Sequence, residues 1–201
     1  TLLTVALWWV LGYRMRQLSR STDNAPLANA EESRKYIWKN TVWAALFIVW
    51  FALTIMSTVP WLWLMSIDAH WYSTMYSWYT FASTFVAGMS LVALFVVYLK
   101  NHDYLEYVTE EHLHDLGKFM FAFTVFWAYI GFSQFMLIWY ANIPEETEFY
   151  IMRSLNGWMP VSIGLLIFRF AVPFLVLLPR GNKRTDSILV GISVLVLVMQ
   201  Y

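Results

Sequence analysis

Apolar residues run along this chain in long unbroken stretches, separated by short polar connections. A helix of about 20 apolar residues crosses the roughly 30 Å hydrocarbon layer of a bilayer. Four stretches meet that length, at about 40–65, 71–99, 112–141 and 155–178, the third apolar from Leu116 onward. None shows the period-2 alternation of a membrane β-barrel, so helices are predicted. Two shorter apolar stretches, Thr1–Leu11 and Ile188–Tyr201, are expected to belong to truncated helices over 1–18 and 187–201. The expectation is an all-α, polytopic transmembrane helix bundle forming a single, partial domain over 1–201, a fragment of a longer chain. The polar 19–39 connection is expected to hold an amphipathic segment capped by Asn29 ahead of Glu31 and Glu32.

Composition narrows the function. Of 201 residues, 60% are hydrophobic and 13% charged, and 13 Lys+Arg balance 13 Asp+Glu. The mean hydropathy is +0.54. A neutral balance argues against a nucleic-acid-binding surface, which needs basic excess. The chain has no cysteine, which excludes disulfides, iron–sulfur ligation and c-type haem attachment within it. Its four histidines, His70, His102, His112 and His114, all fall in loops or at span ends, so no bis-histidine haem is expected inside the membrane. Asp68 and His70 alone are too few ligands for a metal site. No Gly-rich phosphate loop or nucleophile motif occurs, and no self-contained catalytic centre is expected.

Loop charges predict orientation. Arg14, Arg16, Arg20, Arg34, Lys35, Lys39, Lys100, Lys118, Arg180, Lys183 and Arg184 fall on one side, and only Arg153 on the other. By the positive-inside rule the basic side is cytoplasmic. In a bacterium the inner membrane is the expected site, with the acidic 143–153 loop periplasmic. Pro144 suits the first position of a helix there, and that loop is the expected docking point for periplasmic subunits. Trp61, Trp63, Trp71, Trp78, Trp139, Tyr140, Tyr150 and Trp158 cluster at the outer span ends as an aromatic belt.

Two features carry candidate chemistry. On the third full span, Asp115, Lys118, Tyr129, Ser133 and Tyr140 lie within about 60° of one another at 100° per residue. His112 and His114 flank the start of that line, after a Thr109 cap. Histidine titrates nearest neutral pH, so a line running inward from His112, His114, Asp115 and Lys118 is what proton entry needs. Asp115 and Lys118 are spaced to pair. The second feature is Arg169, near mid-membrane between Pro160 and Pro173, where a cation is costly unless partnered. No acid lies at its depth, and Tyr129 is the acceptor expected within the chain.

The segment HDLGK at 114–118, followed by FMFAFTVFWAYIGFSQFMLIWYANIPEET through Thr147, resembles the F-subunit family of the bacterial alternative complex III. That resemblance implies a fold similar to the NrfD/polysulfide-reductase membrane subunits, built on four-helix bundles. It implies a cofactor-free subunit of a respiratory quinol:cytochrome c oxidoreductase, scaffolding the complex and conducting protons coupled to quinol oxidation. Haem c, iron–sulfur clusters and quinol would then belong to partner subunits. The implied partners are the other membrane and periplasmic subunits, the lipid bilayer and a terminal oxidase. Two alternatives stay open: the quinone-binding subunit itself, and an autonomous secondary transporter.

Overall fold

The structure is a computed structural model that describes residues 1–24, 29–68, 70–155 and 157–200. Residues 25–28 of the polar connection, Asn156 in the fourth expected span and Tyr201 at the end of the last lie outside the described residues. The fold is 85% helical, and no strand occurs among the described residues. It forms two compact units, 1–69 and 70–201.

The first unit holds α1 (Leu2–Asn24) and α2 (Ala30–Ile55), followed by a π turn at Pro60–Leu64 and a 3₁₀ turn at Met65–Ile67. Both helices run further into the polar connection than hydropathy suggests. In α2 the added turns hold Glu31, Glu32, Arg34, Lys35 and Lys39, good helix formers, so the hydrogen-bond ladder begins before the oily stretch does. Asn29 does take the cap position of α2, without a side-chain capping bond. Glu31 and Lys35 then pair one turn apart at 2.7 Å. The two helices are pinned where Trp8 Nε1 donates to Thr54 Oγ1 at 3.0 Å.

The second unit holds α3 (Thr74–Asn101), α4 (Glu110–Ala141), α5 (Pro144–Ser154), α6 (Met159–Leu165), a π segment (Leu166–Ala171), α7 (Val172–Leu177), a 3₁₀ turn (Asn182–Arg184) and α8 (Asp186–Val198). Four stretches are long and apolar enough to cross a membrane: Ala30–Ile67, Thr74–Asn101, Glu110–Ala141 and Met159–Leu177. These match the four predicted spans, and the protein is an all-α membrane bundle. Pro144 takes the first turn of α5 as its fixed φ favours.

Packing in the second unit runs through small residues. Ala82, Ser90 and Ala93 of α3, Gly117 of α4 and Ser193 of α8 are buried where α3, α4 and α8 meet the rest of the bundle. In lipid no hydrophobic force draws helices together, so close backbone approach and van der Waals contact must do it. Leu113, Met120, Leu177, Leu189 and Val196 fill the space between. Glycine is required at position 117, because a Cβ there would come within 2.9 Å of both Cβ and Cγ of Lys183.

The basic end of this unit is tied by charge. Lys100 pairs with Asp186 at 3.1 Å, and Arg184 pairs with Glu111. Lys183 Nζ donates to the Leu177 carbonyl at 2.6 Å and to that of Leu178 at 3.2 Å, satisfying the open end of α7. Burial, reinforced by the Lys118 ammonium, holds the Lys183 pKa below the ordinary lysine value.

Candidate functional site around Arg169

The helix carrying Arg169 is not regular. Pro173 has no N–H to offer the Arg169 carbonyl four residues earlier, so the α ladder is broken there. The chain responds by widening into the π segment Leu166–Ala171, and Val172 N–H donates to the Ile167 carbonyl five residues back. Single π turns inside helices recur at functional sites. This one turns Arg169 into the bundle, where it is 8% exposed.

Its partners come from three other stretches of the unit. Nη2 donates to Ser83 Oγ of α3 and to Gln200 Oε1, just past α8, while Nη1 donates to the Met199 carbonyl at 3.2 Å. Ser83 and Gln200 also bind each other, Gln200 Nε2 donating to Ser83 Oγ at 3.0 Å. The guanidinium carbon lies 4.7 Å from the ring centre of Trp127 on α4, a cation–π contact. Four neutral groups therefore stand in for the carboxylate that the sequence lacks at this depth.

A cavity of about 580 Å³ opens beside this cluster. Tyr79 and Trp127 pack at 5.3 Å on one wall, and Phe149, Tyr150 and Arg153 of α5 border it as well. Gly131 admits the Tyr79 ring: a Cβ there would stand 3.2 Å from it. Arg153 lies over the Phe149 ring at 3.4 Å and donates to the Phe149 carbonyl at 2.9 Å. Burial pushes the Tyr150 hydroxyl up to about 12, with Tyr79 adding to the shift and Arg153 opposing it, so it is protonated at neutral pH. Gln134 borders the cavity from α4 at 2% exposure, and its Nε2 has no hydrogen-bond partner.

The other sequence-predicted site residues do not gather here. His112 serves the start of α4, where its Nδ1 accepts from the Thr109 N–H at 3.1 Å. His114, half-buried, is 4.0 Å from Glu111. Asp115 and Lys118 pair at 2.6 Å as expected, but on the surface, where such a pair carries little energy. Tyr129 and Tyr140 are 63% and 86% exposed, and Ser133 Oγ donates back to the Tyr129 carbonyl at 2.8 Å. The line is thus one helix face, but that face lies about 100–160° around α4 from Gln134. Tyr129 is correspondingly not the acceptor of Arg169.

The residues that do gather, Ser83, Gln134, Gln200, Tyr79 and Trp127, were not singled out by sequence reasoning. Gln134 carried a usable signal. It is a primary amide inside an apolar span, on the same helical face as Trp127, Ile130 and Ile138, and polar groups at that depth turn inward. No protein-family model matches the chain, and no curated protein sequence is similar to it.

Proposed function

We propose that the chain is a cofactor-free integral membrane subunit of a respiratory quinol:cytochrome c oxidoreductase of the alternative complex III type. In this reading it sits in the bacterial inner membrane with its basic loops cytoplasmic. It scaffolds its partner subunits and conducts protons coupled to quinol oxidation. Haem c, iron–sulfur clusters and quinol are held by those partners, which include periplasmic subunits and a terminal oxidase.

The observation that carries the conducting role is the Arg169 cluster. A cation held by a hydroxyl, an amide and a carbonyl, beside a cavity, is a group a proton path can be built around. The resemblance over 114–147 suggests the complex. The surface position of Asp115 and Lys118 suits an entry point and not the path's interior. A second reading, the quinone-binding subunit itself, is favoured by the aromatic cavity wall, with Arg169 and Gln134 as donors toward a quinone carbonyl.

In membrane vesicles carrying the assembled complex, Arg169→Leu is expected to lower the rate of proton movement driven by quinol oxidation at least about tenfold, about 1.4 kcal/mol of barrier. Lys118→Ala is expected to lower it only about twofold, since water replaces a surface group readily. Unchanged quinol oxidation and proton movement in both variants would remove the conducting role. A quinone retained in this subunit after purification would favour the second reading.

A further inference from the structure

The cavity beside Arg169 has an imbalance that none of its side chains corrects. Among the described residues, two guanidiniums, Arg153 and Arg169, line it, and no carboxylate does. Two of the acceptors in its wall already serve Arg169. Ser83 Oγ and Gln200 Oε1 take the Arg169 N–H groups, and both also bind each other. The hydroxyls of Thr80 and Ser162 are spent on carbonyls of their own helices, at 2.9 Å from Ser77 and 3.2 Å from Trp158. A donor remains: Gln134 Nε2 is buried and unpartnered. The site therefore asks for negative charge and for acceptor oxygens.

The rim says where such a ligand comes from. Phe132 and Phe135 of α4, and Leu166 of the π segment, border the cavity and are exposed on the apolar flank of the bundle. An opening framed by exposed apolar side chains on a membrane helix faces acyl chains, so the ligand enters from the bilayer. A volume of about 580 Å³ suits a head group and leaves two acyl chains outside.

We infer that this cavity binds the phosphate head group of an anionic membrane phospholipid. Arg169 and Gln134 supply the inner donors, Arg153 stands at the rim, and the chains leave past Phe132 and Phe135. Phosphate meets guanidinium with charge-assisted, often bidentate hydrogen bonds. A neutral quinone would satisfy donors but leave both positive charges uncompensated. The inference concerns the cavity itself and holds whatever complex the chain serves.

The test uses the protein with the subunits that co-purify, delipidated and returned to phosphatidylcholine nanodiscs with or without phosphatidylglycerol. Bound lipid is read by native mass spectrometry. The expected result is one phosphatidylglycerol retained per chain. Arg169→Gln should lower that retention at least about tenfold. Gln134→Leu should lower it about three- to tenfold while keeping or raising the thermal midpoint of the lipid-free protein, because the unpartnered amide is gone. Should Arg169→Gln fail to fold, Gln134→Leu carries the test alone. Equal retention of phosphatidylcholine, retention untouched by Gln134→Leu, or a quinone that phosphatidylglycerol cannot displace would each overturn the inference. Displacement of the lipid by inorganic phosphate at similar concentration would reassign the site to a free anion and overturn it too.

Discussion

Removing the partners of Arg169 is expected to harm the protein far more than removing Arg169. In the double variant Ser83→Ala, Gln200→Ala, the guanidinium keeps only the Met199 carbonyl and the Trp127 ring. An under-partnered buried charge typically costs about 3–5 kcal/mol. Arg169→Met is the opposite case. It takes away the charge and fills the space with an apolar chain. Ser83 and Gln200 still bind each other, at 3.0 and 3.3 Å, so no polar atom of theirs is stranded. Replacing a buried charge in this manner is often neutral or stabilising. Reversible unfolding in mixed micelles should therefore show the double variant strongly destabilised and Arg169→Met within about 1 kcal/mol of wild type. The same Arg169→Met protein should be poor in proton movement, which separates a functional cation from a structural one. Equal destabilisation by both would mean that the cation itself holds the helices together.

The second large effect is expected at Ser90. This residue is fully buried on α3, and its hydroxyl makes no hydrogen bond. Its value is its size. Ser90→Leu adds bulk at a contact where the helix backbones lie close, and overpacking of that kind costs about 1–3 kcal/mol or more. Ser90→Ala keeps the contact and removes an unsatisfied hydroxyl, so it should be neutral or slightly stabilising. Thermal midpoints of the two variants in one detergent provide the check. A destabilised Ser90→Ala would mean that the hydroxyl, and not the small volume, matters.

These two cases show what was legible in the chain and what was not. The four spans are visible because about 20 apolar residues in a row have few other uses. Their ends are less visible. Hydropathy marks where oil begins, whereas Glu31–Lys35 and the neighbouring Arg34 keep α2 helical well outside it. The polar line from Asp115 to Tyr140 shares one helical face, as its spacing requires. Spacing says which residues share a face and not which way the face turns. In water the apolar side answers that question; in lipid both sides are apolar. The better guide was residue size, since Ser90, Ala93, Gly117 and Ser193 mark the inside. Arg169 was visible as a cation out of place. Its partners were not, because depth alone picked the Tyr129 hydroxyl, which faces away, and the structure uses the Gln200 amide, the Ser83 hydroxyl, the Met199 carbonyl and the Trp127 ring.

The central claim is that α4 turns Gln134 toward a polar interior shared with Arg169 and turns Tyr129 away from it. The chain has no cysteine, so single thiols can be introduced on a silent background. A thiolate attacks the sulfur of a methanethiosulfonate and expels methanesulfinate, and the thiolate forms where water or a nearby cation stabilises it. In delipidated detergent solution, Gln134→Cys should react with an anionic methanethiosulfonate at least about ten times faster than Tyr129→Cys or Leu137→Cys. A Gln134→Cys thiol that stays inert while Tyr129→Cys reacts would contradict the account.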